Sequence, residues 1–480
     1  MGKANGGLRH VAVLLMRYSG TCAALLLLEG CSDVPDGPSS ALTTAVPALS
    51  SGAIPSTTAK VTAQTPFLMQ TAAYAVCVVH PQGDTDPDHR LRTLADAQGF
   101  VRFFGDGPGL SSVSLVLDCN TEDGITLDTQ PIDQQLAVAQ FAEVGTSKFI
   151  PPGTKMIAPL AGDPMAPTDA ELVQNGYPAR PDPVQSADLY SRWLRTVSKP
   201  IALIQPKGIP DPDRVRGGAL LGGQNWGGVF LLPLVPAAVF GRVIGTFMQP
   251  NITSHGFVRQ ASTSAVYSWV GLDGGLAFQG GSASQDVAQA GTIAKIVVGF
   301  VQNGWYTVVS YNAFVEWFSD DPILIQNFVV YPGDYYFDEV WMSDSTGFST
   351  QPGGYMWFEF LQEDEGPGFT GCIGPHGSTS CQFTISTQGN HHFVGDTAEW
   401  ILETPYGFAE PMANFWTATM SGAEAWRSDE NYGTIHSDAS QDFDTQYITS
   451  PTQGQFRAKA DTQGTTVAAP LVNYSWVSYW

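Results

Sequence analysis

Three short alternating runs in the C-terminal half carry the side chains with the most chemistry. In Asn312–Phe318, Phe314, Glu316 and Phe318 face one way, and Val315 and Trp317 the other. In Tyr355–Phe360, Tyr355, Trp357 and Glu359 oppose Met356, Phe358 and Phe360. In Thr397–Glu403, Thr397, Glu399, Ile401 and Glu403 oppose Ala398, Trp400 and Leu402. A period of two is that of a β-strand, so each run offers an apolar side to a core and sets carboxylates, often among aromatics, on the other. Burial beside Trp disfavours a charged carboxyl and raises its pKa. One Glu can then take a proton from water and later return it to a leaving group. A neighbouring Gln amide would add an NH₂ donor for a developing oxyanion and a carbonyl that orients the water. That set suits amide hydrolysis. Two carboxylates such as Glu316 and Glu399, with Tyr355 and Trp357, also suit a glycan-binding or glycan-hydrolysing protein, which needs carboxyls about 5–5.5 or 6.5–9.5 Å apart to cleave. A non-catalytic surface adhesin is a third reading.

Metal chemistry has weaker support. Asp84-Thr85-Asp86-Pro87-Asp88 begins like a calcium loop, but His89 stands where Gly is needed and no Glu occupies the twelfth position; it reads as a polar turn. His391-His392 reads as a solvated loop pair, and no C-x-x-C occurs. No metal and no other cofactor is expected.

The elements that must position these groups are short strands. Of 480 residues, 43% are hydrophobic and 14% charged, with Gly 51 and Pro 33, a texture of strands and turns rather than long helices. The net charge of −23 disfavours nucleic acid as a partner. No Lys or Arg occurs from Ile296 to Trp426, a stretch with sixteen Asp or Glu. Such a segment repels itself at neutral pH and relaxes when its carboxyls protonate, so it is read as built to fold and work in acid.

The chain begins with Lys3, Arg9 and Arg17 ahead of the apolar run Ala23–Leu28, followed by Leu28-Glu29-Gly30-Cys31. Residues 1–31 are read as an export signal of possible lipoprotein type, with Cys31 the candidate anchor, although Glu29 and Arg17 depart from the usual pattern. The expected location is secreted or cell-surface, with membrane contact only through that anchor. No later segment offers about 18 uninterrupted apolar residues. Residues 32–65, rich in Ser, Thr, Ala, Pro and Gly, read as a disordered linker. Residues 66–217 read as an α+β leader. Strands are expected over Ala73–His80 and Val113–Asp118 and helices over Ile132–Val144 and Ser186–Val197, the last with Leu189, Trp193, Leu194 and Val197 on one face. Fifteen of the 22 basic residues fall between Lys60 and Arg259, which suggests a prosegment of a zymogen held partly by charge. Export favours disulfides, and the natural pairs are Cys77/Cys119 and Cys372/Cys381.

From Gly218 onward several strings appear in order: Asn225-Trp226-Gly227-Gly228, Val243-Ile244-Gly245-Thr246-Phe247-Met248-Gln249-Pro250, Ser268-Trp269-Val270-Gly271-Leu272-Asp273-Gly274, Gln289-Ala290-Gly291-Thr292, Tyr311-Asn312-Ala313-Phe314-Val315-Glu316-Trp317, Pro332-Gly333-Asp334 and Ala398-Glu399-Trp400-Ile401-Leu402-Glu403. Together they resemble the glutamic peptidases called eqolisins, peptidase family G1. The resemblance implies that residues 218–480 form an all-β catalytic domain, a two-sheet antiparallel β-sandwich of the concanavalin or lectin kind whose concave face binds peptide. It also implies that Gln289 and Glu399 are the catalytic pair, with Trp226, Trp269, Asp273, Glu316 and Trp317 as supporting or substrate-binding residues. Phe314 replaces a Trp that the family often carries. The stretch between Asp344 and His392 is longer than the family's and suggests an added loop over the groove. A Gln in place of one carboxyl speaks against the glycosidase reading. Substrates would be proteins or peptides, and the chain a monomer. Of the four tryptophans Trp226, Trp269, Trp317 and Trp400, at least two are expected to pack in a core.

Overall fold

Alternating apolar residues dictate strands here because each strand can bury one face while its other face stays available for polar groups. The computed structural model describes residues 64–145, 150–184, 186–211, 213, 226–233, 239–253, 262–274, 287–318, 320–343, 355–363, 380–387, 393–403, 415, 417–427, 432–434, 441–449, 456–461 and 471–476. The proposed signal, Cys31, nearly all of the linker, Cys372 and His391-His392 lie outside these residues. Strands dominate, and nearly all pairings are antiparallel.

Two runs of adjacent strands form the body of the fold beyond residue 225. In the first, Trp226–Pro233, Ala398–Glu403, Ser262–Leu272, Val287–Val301 and Gly304–Phe318 lie side by side, all antiparallel. In the second, the order is Thr417–Arg427, Phe240–Met248, Tyr335–Ser343, Tyr355–Glu363 and Ser380–Thr387. One hydrophobic cluster draws on both: Val270, Ala290, Val315 and Trp400 from the first, Val243, Val340, Phe358 and Phe360 from the second. The alternation read from sequence in 312–318, 355–360 and 397–403 is the alternation observed, since Val315, Trp317, Phe358, Phe360, Ala398, Trp400 and Leu402 all belong to this cluster. The 344–392 stretch, expected as an added loop, contributes two paired strands, Tyr355–Glu363 and Ser380–Thr387.

Residues before position 217 are hydrogen-bonded into both runs. Phe100–Asp106 pairs with Gly304–Phe318 on one side and with Thr65–Gln70 on the other. Gly208–Pro210 pairs with Ile323–Val329, and Ile201–Ile204 lies parallel to Ser380–Thr387. Leu68, Phe104, Phe141, Ala202 and Ile204 enter the main cluster, while Val297, Tyr306 and Val308 enter a cluster built around Phe67, Val79 and Phe103. A separate four-stranded sheet contains Val76–Pro81 beside Leu115–Asn120, where Cys77 stands opposite Cys119 and the two are disulfide-bonded. Cys381 is also disulfide-bonded.

The helices differ in detail from expectation. Gln134–Gln140 is capped by Asp133, whose carboxylate accepts from the Gln135 and Leu136 N–H groups, and a wider turn continues over Phe141–Gly145. In Ala187–Val197, Leu189, Trp193 and Val197 are buried, but Leu194 is 38% exposed. The correction follows from helix geometry: at about 100° per residue, Leu194 lies some 140° from Leu189, on the flank of the buried stripe. A third helix, Asp169–Gln174, was not anticipated, although Thr168 and Glu171 form a reciprocal capping box that marks its start. Among the described residues, no helix is long and apolar enough to cross a membrane.

Candidate active site

Register brings the two principal residues to one place. Ser262–Leu272 is flanked by Ala398–Glu403 and by Val287–Val301, and Gly271 pairs with Glu399 on one side and Gln289 on the other. Residues in register point to the same face, and adjacent strands are spaced about 4.8 Å apart, so the two backbones stand roughly 10 Å apart across a residue with no side chain. A Cβ on Gly271 would meet the Trp269 ring at 2.6 Å and the Ala288 carbonyl oxygen at 3.0 Å. Glycine therefore leaves room for the Trp269 indole to lie over the strand between amide and carboxylate. This face is the one turned away from the main cluster, because Ala288, Ala290, Ala398 and Trp400 occupy the other.

Each group has a defined partner. The Gln289 Nε2 donates to Glu316 Oε2 at 2.8 Å, across the register pair Gln289–Glu316. Gln289 Oε1 is buried with no hydrogen-bond partner among the described residues. The Thr397 hydroxyl donates to Glu399 Oε1 at 2.8 Å. The Trp269 Nε1 donates to Glu403 Oε2 at 3.0 Å, which fixes the indole beside Gly271. Gln289, Glu316, Glu399 and Trp269 are all buried.

Asp273 ends its strand with φ of 69°, a left-handed conformation rare outside glycine, and Gly274 follows at 97°. Its carboxylate accepts from the Val394 N–H at 2.6 Å and the Asp396 N–H at 2.9 Å, while its own N–H donates to the Thr397 carbonyl at 3.1 Å. Asp273 thus ties down the segment that leads into Glu399. Burial, and then the nearby Asp396, push its pKa up to about 8. Burial raises Asp396 to about 6.

The other expected residues divide. Trp226 registers with Glu403, one strand from the site. Trp317 is not brought to it: a strand alternates faces, so the neighbour of Glu316 points into the main cluster. Trp400 packs in the same cluster and donates to the Ile244 carbonyl at 2.8 Å. Phe314 packs on Tyr267, with ring centroids 4.7 Å apart. The set invoked for a glycan does not assemble. Trp357 belongs to the second run, stacked on Trp341 at 6.1 Å, while Glu316 and Glu399 sit on the first.

Leader side chains reach the same face as Glu399. Leu94 joins Tyr267, Trp269, Phe314 and Ile401 in one apolar cluster, with Val76 and Ile209 packed against it. Further along the face, the Tyr267 hydroxyl donates to Asp211 at 2.8 Å, and Lys295 donates to Asp211 at 2.7 Å and to Asp213 at 2.8 Å. Arg92 also donates to Asp213, at 2.7 Å. Burial alone would raise Asp213, but Lys295 and Arg92 hold it below the ordinary carboxylate value. The expectation was a basic leader against acidic strands; at this contact Lys295 is on the strands, its acidic partners Asp211 and Asp213 are on the leader, and the leader's own Arg92 shares Asp213. Sequence reading gave no role to Asp211, Lys295 or Asp396, and none to Gly271 and Thr397 beyond their place in a motif string and on the Glu399 face, because these roles depend on register or on long-range pairing.

Among the described residues, no group of three or more His, Cys, Asp or Glu side chains is placed to hold a metal ion. The calcium-like string is a turn in which Asp84 accepts from the Asp86 N–H at 2.9 Å and pairs with His89.

Residues 224–351 match the peptidase A4 family, a match that includes Trp226, Trp269, Asp273, Gln289 and Glu316 and ends before Glu399. No curated protein matches the chain. Among solved structures, scytalido-glutamic peptidase with a transition state analog inhibitor is similar at 17% identity, over 53% of this chain and 98% of the other, with a TM-score of 0.35. The family match over residues 224–351 supports a peptidase, a hydrolase that acts on protein or peptide substrates.

Proposed function

We propose that this chain is an acid endopeptidase of the glutamic type, with Glu399 as general base and then acid and Gln289 as the residue that orients water and stabilises the oxyanion. The observation that carries it is the placement of Gln289 and Glu399 on either side of Gly271, on one face of the same run of strands. Glu399 removes a proton from water as the water oxygen bonds to the peptide carbonyl carbon. Gln289 Oε1 accepts the water's second hydrogen. The amide's NH₂ has two hydrogens; one is engaged by Glu316, which fixes the orientation of the group, and the other is directed to the oxyanion. When the C–N bond breaks, Glu399 returns its proton to the leaving amine. The two runs of strands then act as a concanavalin-like sandwich that presents this face to peptide.

Digestion of casein at low pH tests the reading. Activity that resists inhibitors of aspartic, serine and metal peptidases, and that is lost in Glu399→Gln, is the expected result. Wild-type proteolysis by Glu399→Gln, or activity lost to a chelator, overturns it.

The same reading includes export, supported by the basic and apolar N-terminal residues, with the mature N-terminus to be checked by mass spectrometry. It also includes a leader that restrains the site. Supporting this, Leu94 and Asp211 lie against the site-bearing face. Full-length protein showing neither processing nor a gain in activity after acid treatment would remove the zymogen from this reading.

A further inference from the structure

The hydroxyl of Thr397 sits between two carboxyl groups. It lies 2.8 Å from Glu399 Oε1 and 3.2 Å from Asp396 Oδ1, and the three side chains are 0%, 0% and 7% exposed for Thr397, Glu399 and Asp396. One hydroxyl carries one proton, so it cannot serve both carboxylates at once. We propose that Thr397 is a positioning residue that relays the charge state of Asp396 to Glu399, holding Glu399 as the reactive base only while Asp396 is protonated. This rests on the reading of Glu399 as the catalytic base.

When Asp396 is protonated, its O–H donates to Thr397 Oγ1, and the Thr397 hydrogen is committed to Glu399. That donation favours the ionised form of Glu399 in a site where burial opposes it. When Asp396 is ionised, two carboxylates compete for one hydrogen. The hydroxyl turns toward Asp396, and a second negative charge stands beside Glu399. Burial places the titration of Asp396 at about 6, inside the range where an acid peptidase would lose activity. The segment carrying both residues is fixed from outside by Asp273, which binds the Asp396 and Val394 N–H groups, so the relay does not depend on a freely moving loop. The other titratable groups facing the site are Asp273 at the end of the central strand, Glu316 behind Gln289, and Glu403 under Trp269. Asp273 titrates near 8 and is neutral through the acid range.

The test is the pH profile of kcat/KM in the full chain, measured from pH 2 to 8 on a chromogenic peptide. Thr397→Val should move the acid limb up by about one pH unit, the size expected for losing a hydrogen bond to a charged group. It should lower kcat about tenfold with little change in KM, and Thr397→Ser should restore both. Asp396→Asn should move the alkaline limb up by about one unit or more, because the amide can donate to Thr397 Oγ1 at any pH. Near-ultraviolet circular dichroism on the same samples establishes that each variant is folded. A Thr397→Val profile that superimposes on wild type, while Glu399→Gln is inactive, overturns the relay and leaves the catalytic assignment standing. An alkaline limb unmoved in Asp396→Asn overturns it too. Wild-type activity in Glu399→Gln removes the assignment itself.

Discussion

Two strand faces in this molecule hold buried glutamates, and they are organised in opposite ways. On the first run, Glu399 and Glu316 are kept apart, with Gly271 and the Gln289 amide between them. On the second run, Glu339 and Glu359 are direct cross-strand partners, and Arg242 Nε is 2.5 Å from Glu339. Burial, and then Glu339, drive the pKa of Glu359 well above the usual range. Burial also raises Glu339, with Arg242 pulling the other way. Two adjacent buried carboxyls clamped by a guanidinium are tied to each other and to Arg242, which suits a structural pair. Glu399 is paired instead with the neutral Thr397 hydroxyl, and the Gln289 amide stands on the far side of Gly271. Burial alone therefore does not distinguish the two faces; the spacing of their carboxyls and the charge of the partners do.

The sharpest way to break this contrast is to neutralise one glutamate on each face. Glu399→Gln is expected to lower kcat by about 10³-fold or more, the order lost when an essential acid-base group is removed. Glu359→Gln is expected to leave kcat within about twofold, because it preserves shape and keeps a donor for Glu339. Equal losses in the two variants, in the same casein assay, would erase the distinction. Next in size, Gln289→Ala should cost about 10²–10³ in kcat, the usual effect of removing one oxyanion donor. A loss carried wholly by KM would place Gln289 in substrate binding.

The seat of the Trp269 indole over Gly271 is tested by Gly271→Ala. The new methyl meets the Trp269 ring and the Ala288 carbonyl inside contact distance, and overpacking of this kind costs about 1–3 kcal/mol. Thermal unfolding should show that loss, with kcat reduced about tenfold as Trp269 is displaced. A fully active, equally stable variant would show that the absence of a side chain at position 271 is incidental.

The smallest effect concerns pH. Asp273, Asp396 and Glu359 all have raised pKa values in the folded chain. A folded state that binds protons more tightly than the unfolded chain is favoured at low pH. The stability from Asp273 is therefore fully present below about pH 4, the unfolded value, and is lost progressively as pH rises to about 8. Tm should be highest in acid and fall across that window, as the unfolding free energy loses on the order of a few kcal/mol for a buried carboxyl. Asp273→Asn should flatten the fall, and melting curves at pH 3, 5 and 7 check it. This fits the base-free stretch from Ile296 to Trp426, whose carboxyls repel one another less in acid.

Much of the local structure was legible. Thr397–Glu403 announced its two faces through strict alternation, and the Ala187–Val197 helix its buried stripe, except that Leu194 turned out flanking. The capping box of Thr168 and Glu171 is a local signal carried by the sequence itself. Other features had no local signal. Nothing near Gly271 says which two strands will flank it, since Glu399 is 128 positions away in sequence. Nor does anything near Asp211 announce that it will bind Lys295.

By itself the sequence determined which side chains share a face, because the period of two is a property of the extended backbone and needs no partner. It also determined the excess of acids that acid conditions must neutralise. Only the tertiary structure decided that Gln289, Gly271 and Glu399 stand in one row, and that Glu359 faces Glu339 rather than Glu399. Strand pairing is non-local, and a carboxyl's chemistry is set by the groups that surround it in space, neither of which is written in the neighbouring residues.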